Sequence, residues 1–96
     1  MDSYFDGFDE IAEWQRGTFG TSLTPEAAAS RLKKELHEFL LNPCGDEAAD
    51  CVITAIDLFR SIGVLYPSMF VEDKHATNEH RKWNVAPDGT GQHVEE

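Results

Sequence analysis

The chain has 96 residues and a mass of 10.8 kDa, with 41% hydrophobic and 27% charged residues, which fits one small globular domain and excludes a disordered chain. Eighteen Asp and Glu against eight Lys and Arg give a formal net charge of -10, the opposite of the basic footprint that nucleic-acid phosphates require. Apolar runs are too short for a membrane span, and the segment from Met1 to Asp6 carries acid where an export signal carries base, so a soluble cytoplasmic protein with no nucleic-acid or membrane partner is expected.

Turn-forming residues divide the chain into four helical stretches and a tail, and no stretch alternates enough to read as a strand. The first helix is expected over about 9–19, with Phe8, Ile11, Ala12 and Gln15 on one face and Gly20 as its stop. Within it Trp14 and Gln15 set an indole beside an amide, a pair able to stack on a base and hydrogen-bond its edge. The competing reading makes Trp14 a core residue. The second helix, over 24–41, opens on Thr24-Pro25-Glu26, an N-cap followed by a proline at N1 and an acid in the first turn. Asn42-Pro43-Cys44-Gly45 then forces a turn. The apolar stripe of this helix is Ala29, Leu32, Leu36, Phe39 and Leu40, with Glu35 at the stripe's edge.

The third helix, over 46–62, stops at Gly63. Ala48, Cys51, Val52, Ala55, Ile56, Leu58, Phe59 and Ile62 spread over half its circumference or more. A chain this short supplies little cover for such a helix, which implies a second subunit. Its polar sector is one line: Glu47, Asp50, Thr54, Asp57 and Ser61. The fourth helix, over 67–83, spaces Lys74, Asn78 and Arg81 at i, i+4, i+7. That face suits phosphate oxygens, or is a solvated basic face near a helix C-terminus. Residues 84–96, with Pro87-Asp88-Gly89 and Gly91, read as an irregular tail. The fold class is all-α.

Chemistry concentrates at the second and third helices. Glu35 and Glu38 form one carboxylate pair at i, i+3, and Glu47 and Asp50 form another. Both pairs are equidistant in sequence from the Asn42–Pro43 boundary, so an antiparallel hairpin brings four carboxylates to one height. Crowded acids repel and shift one another's pKa values, and hard cations such as Mg2+ or Mn2+ relieve the repulsion through all-oxygen ligation. A single ExxE or ExxD is ordinarily a solvated surface pair, here beside Arg31, Lys33 and Lys34. Two such pairs level across a turn, one of them on a mostly apolar helix, favour a metal site. A polyphosphate held through metal ions also reconciles an anionic ligand with an acidic protein. Cys44 and Cys51 are too few for a disulfide framework, and with His37 they lack zinc-ligand spacing. The chain contains no glycine-rich phosphate loop, GxSxG or HExxH, so protein nucleophilic catalysis has no support.

Several segments occur in a telling order: Glu13-Trp14-Gln15-Arg16-Gly17-Thr18-Phe19-Gly20, the ExxE of Glu35 and Glu38, the ExxD of Glu47 and Asp50, a KxxxNxxRxW from Lys74 to Trp83, and Pro87-Asp88-Gly89 with His93. Together they resemble the MazG-like all-α nucleoside triphosphate pyrophosphohydrolases, most closely the short phage and bacterial dATP/dGTP diphosphohydrolase branch, the MazZ-like proteins. The resemblance spans nearly the whole chain. It implies one domain over 1–96, a four-helix MazG-like bundle with an irregular tail, and the apolar third helix predicts a homodimer or homotetramer. The resemblance implies metal-dependent hydrolysis of a purine (d)NTP, dGTP or GTP ahead of dATP, to the monophosphate and pyrophosphate.

By position, the resemblance makes Glu35, Glu38, Glu47 and Asp50 ligands of two or three Mg2+ or Mn2+ ions, with Glu35 or Glu38 also orienting or deprotonating the attacking water. Lys74, Asn78 and Arg81 would contact phosphate or sugar, and Trp14 and Gln15 would lie near the base. The setting it implies is the cytoplasm of a bacterium or a phage-infected host, where the product dGMP would feed modified-purine synthesis. The alternatives are a housecleaning dUTP- or dCTP-type pyrophosphatase and a non-enzymatic acidic helical interaction protein. Two departures stand out: only eight residues separate Glu38 from Glu47, and Ala48-Ala49 stands where a tryptophan commonly precedes the second motif's alanine.

Overall fold

Four helices and a short hairpin follow one another, α1 (Asp6–Phe19), α2 (Pro25–Leu41), α3 (Gly45–Ser61), α4 (Pro67–His80), β1 (Trp83–Val85) and β2 (Gly91–His93), in a computed structural model that describes residues 5–94. The first four residues of the acidic N-terminal segment, and Glu95 and Glu96 at the end of the tail, lie outside the described residues.

Local chemistry sets the helix ends. The Thr24 hydroxyl accepts the Ala27 N–H at 3.2 Å and Pro25 occupies N1, so α2 begins where its sequence says it should. Its last turn closes through the Asn42 N–H, which donates to the carbonyls of Glu38 and Phe39. Gly63, at φ 75°, takes the chain out of α3 in a conformation other residues rarely adopt. Asp9 of α1 caps α4 from across the molecule: its Oδ1 accepts the Ser68 N–H at 2.9 Å and its Oδ2 the Ser68 hydroxyl at 2.5 Å. α2 packs on α3, and α1 bridges α3 and α4.

The fourth helix ends at His80, short of Trp83. The Asn78 carbonyl, which a continuing helix would offer to the Lys82 N–H, instead accepts the Arg81 N–H at 3.2 Å and the Trp83 indole N–H at 2.7 Å. Beyond it, part of the expected irregular tail forms an antiparallel ribbon, with Trp83 opposite His93, Asn84 opposite Gln92 and Val85 opposite Gly91. Three-residue strands carry too little alternation to show in a sequence.

The interior of one chain is thin. Its buried apolar residues among those described include Ala12, Ala28, Ile56 and Ala86, and the largest fully buried side chains are Gln15 and Pro67. On α2 the residues turned into the chain are Ala28 and Glu35, while Ala29, Leu36 and Leu40 of the expected stripe are exposed. On α3, Thr54, Ile56 and Arg60 are buried and Val52 and Ile62 are open. The Cα radius of gyration, 15.3 Å, exceeds the roughly 13 Å of a compact chain of this length.

Candidate active site

The α2–α3 hairpin brings together three of the four carboxylates whose spacing implies a meeting, and leaves Glu38 outside the tight group. Glu35 from α2 and Glu47 and Asp50 from α3 each place a carboxylate oxygen within 4.8 Å of the others. Glu35 is buried, Glu47 half-buried and Asp50 exposed, so the cluster runs from the interior to the surface. Arg31, one turn before Glu35, donates Nε to Glu35 Oε1 at 3.3 Å. Glu38 is half-buried and stands outside the tight cluster, yet close enough to repel Glu47.

Glu47 records the strain of this crowding. Burial pushes its carboxyl above the usual value of 4.5, and repulsion from Asp50, Glu38, Glu35 and Asp46 adds to the rise. Its Oε2 is buried and has no hydrogen-bond partner, a costly condition for an acceptor. An orphaned buried oxygen among carboxylates from two helices is an all-oxygen donor set, and it fits a hard divalent cation such as Mg2+ or Mn2+. The Cys51 thiol is pushed up by burial and then by Glu35, Asp50, Glu47 and Glu38, which keeps it protonated. Among the described residues, Cys44, Cys51 and His37 form no metal-ligating cluster.

An open cavity of about 630 Å³ lies beside the acids, lined by residues of α1, α2, α3 and the α1–α2 connection, within the size range of small-molecule sites. Glu35 and Asp50 line it, as do Trp14, Gln15 and Phe19. Trp14 is 60% exposed and meets Phe19 edge-on at 5.5 Å, so it is a cavity wall rather than core. Gln15 is the buried partner: its Nε2 donates to the Ile53 carbonyl at 2.9 Å, and its Oε1 is buried with no partner.

Lys74, Asn78 and Arg81 are exposed, and none of them lines this cavity. Lys74 and Asn78 lie on α4, whereas Arg81 has left the helix with an extended backbone. Arg81 joins His80, Lys82 and His93 around a second, smaller hollow of about 210 Å³. The cavity also contains residues to which the sequence reading gave no role: Thr54, Asp57 and Arg60. The available signal was the polar line on α3, where Asp50, Thr54 and Asp57 share a face at i, i+4, i+7.

A family model described as dATP/dGTP pyrophosphohydrolase matches residues 8–96. Among solved structures, the chain is similar to a MazG-like pyrophosphohydrolase of cyanophage S-2L bound to dGDP and three catalytic Mn2+ ions per active site. The two share 26% sequence identity over 98% of this chain and 100% of the other, with a TM-score of 0.72. No curated protein matches the chain significantly.

Proposed function

The chain belongs to the dATP/dGTP pyrophosphohydrolase family, and from that premise we propose that it hydrolyses purine deoxynucleoside triphosphates, dGTP ahead of dATP, to the monophosphate and pyrophosphate. The observation that carries this reading is the orphaned Glu47 Oε2 among Glu35 and Asp50, at the side of a nucleotide-sized cavity. The solved relative's dGDP and three Mn2+ ions support the same assignment.

Glu35, Glu47 and Asp50, with Glu38 beside them, would hold two or three Mg2+ or Mn2+ ions. Bound there, the ions supply Lewis-acid charge stabilisation for the triphosphate and the departing pyrophosphate. Glu38, outside the tight cluster but beside it, orients the attacking water or takes its proton. Trp14 stacks on the base from the far wall, and Gln15 sits behind it. The protein then contributes positioning and electrostatics, which is most of what phosphoryl chemistry asks of it.

Two features support a homodimer or homotetramer. Leu36, Leu40, Leu41, Val52, Ile62, Met69 and Phe70 are large apolar side chains left exposed by a single chain, and apolar surface on this scale marks an interface. The phosphate-binding candidates Lys74, Asn78 and Arg81 do not line their own chain's cavity, and a second copy would bring them to the substrate. No helix among the described residues is long and apolar enough to cross a membrane. We place the protein in the cytoplasm of a bacterium or phage-infected host, where dGMP production would feed modified-purine synthesis.

The test is incubation with each dNTP and NTP, with Mg2+, Mn2+ or EDTA, resolving products by anion exchange. The expected result is monophosphate plus pyrophosphate from purine substrates, lost with EDTA. Equal rates on purines and pyrimidines would remove the purine assignment and favour a housecleaning role. No turnover of any nucleotide would return the acidic interaction protein as the better reading.

A further inference from the structure

We propose that Asp57 reads the Watson–Crick edge of the purine and selects guanine over adenine, with Arg60 as the residue that positions it. The inference rests on the hydrolase reading above and assigns a role to a carboxylate that the metal cluster does not use. Asp57 lies seven residues beyond Asp50 on the same face of α3, about 10.5 Å along the helix at 1.5 Å per residue. That span matches the reach of a nucleotide from its phosphates to the far edge of its base. With phosphates at Asp50, the base edge falls at Asp57.

The surroundings of Asp57 agree with a base site. Arg60 is buried, donates Nε to Asp57 Oδ1 at 2.9 Å and Nη1 to the Gly20 carbonyl at 2.9 Å, and lies over the Phe19 ring at 5.6 Å. The guanidinium therefore fixes the carboxylate against the aromatic wall that Phe19 and Trp14 form. A carboxylate offers about four acceptor positions, and Arg60 Nε engages one of them.

Gln15 belongs to the wall beside this site. It is 2% exposed and lines the same cavity, its amide nitrogen is committed to Ile53, and its Oε1 has no partner. Asp57 thus presents its remaining acceptor positions to the cavity, whereas the Gln15 oxygen is closed off within the wall. An edge made of acceptors matches guanine, whose N1–H and N2 amino group are adjacent donors. Adenine presents a donor at N6 but a lone pair at N1, which faces a carboxylate unfavourably.

The experiment measures kcat/KM for dGTP, dITP and dATP with wild-type protein and Asp57→Asn in saturating Mn2+. dITP keeps the N1–H but lacks the amino group, so wild type should rank dGTP above dITP above dATP. In Asp57→Asn the dGTP/dATP ratio should fall about ten- to hundred-fold, the span of one good two-point base contact. The loss should fall mainly on KM for dGTP. dATP should gain, because an asparagine amide can donate to N1 and accept from N6. Equal wild-type rates on the three nucleotides would overturn the proposal without any variant. An equal loss on dGTP and dATP in Asp57→Asn would also overturn it, reducing the Asp57–Arg60 pair to a strut. If wild type turns over no nucleotide at all, the hydrolase reading fails first and takes this one with it.

Discussion

Two hairpins in this molecule each centre on a carboxylate, and the two carboxylates are opposites. In the β-hairpin, Asp88 accepts the Thr90 N–H at 3.0 Å and the Thr90 hydroxyl at 2.7 Å. The Thr90 hydroxyl, then its backbone N–H, hold Asp88 below the usual aspartate value of 3.8. In the helical hairpin, Glu47 is pushed the other way by burial and by four neighbouring acids, and one of its oxygens is left without a partner. Asp88 is satisfied by the chain that carries it and stabilises a turn. Glu47 Oε2 has no hydrogen-bond partner among the described residues, and in the function proposed above its partner is a cation. The sign of the perturbation, with the hydrogen-bond inventory, separates a structural acid from a candidate ligand.

The largest expected effect tests the ligand side of that contrast. Glu47→Gln or Asp50→Asn should lower kcat/KM by about 10²- to 10³-fold or more, since metal ions contribute several kcal/mol of charge stabilisation. Circular dichroism should show the helices retained, because removing a crowded charge relieves repulsion. Activity within a few-fold of wild type in both variants would break the comparison, for Glu47 would then be no more than a strained surface acid.

Metal binding gives the next largest effect. At a free Mg2+ or Mn2+ concentration 100 times Kd, the folded state should gain about 2.7 kcal/mol. For a domain of this size that is roughly 10–20 °C in Tm. The shift should vanish with EDTA and shrink strongly in Glu47→Gln. It should persist in Asp88→Asn, whose carboxylate lies in another part of the fold. Equal shifts in the two variants would place the ions elsewhere.

How much of this was legible beforehand follows from the range of the forces involved. The level meeting of Glu35 with Glu47 and Asp50 followed from helix period and one proline-containing turn, both local. Gln15 on the inner face of α1 followed from the same periodicity. The stripe Leu36 and Leu40 was visible as a stripe, but hydrophobic pattern does not say whether the surface covering it belongs to the same chain or another. Periodicity puts Arg81 on a helix that in fact stops before it, because the competing bond from the Trp83 indole to the Asn78 carbonyl is a side-chain event. The Asp57–Arg60 arrangement depends on Gly20 and Phe19, some forty residues away, and no spacing rule reaches that far.

The two acids should also titrate with opposite consequences for stability. Glu47 has a raised value in the metal-free fold, so the native state holds its proton where the unfolded chain has lost it. Stability from this group is therefore greatest at low pH and falls as pH rises above 4.5 through the raised value. Asp88 has a lowered value, so its contribution is complete above 3.8 and disappears as pH falls through the lowered value. NMR titration of the Glu47 carboxyl carbon and the Thr90 amide should give midpoints on opposite sides of those references. Added Mg2+ should pull the Glu47 midpoint down and leave the Thr90 midpoint where it was. Movement of both with Mg2+ would mean that the two hairpins are not independent.

The smallest effect belongs to Asp88 itself. Asp88→Asn keeps the oxygen that accepts both Thr90 bonds and loses only the charge, so the turn should survive. The expected change in Tm is no more than about 4 °C, the ceiling for a surface substitution in a domain of this size, with hydrolysis changed by less than about twofold. This weak outcome is informative because the hairpin sits beside the basic hollow of His80, Arg81, Lys82 and His93. If Asp88→Asn instead lowered kcat/KM tenfold while Tm held, the hairpin would have to meet substrate, its own or a neighbouring copy's. The turn carboxylate would then serve the reaction by shaping that basic wall, and the division between a structural hairpin and a catalytic one would give way to a single site built from both.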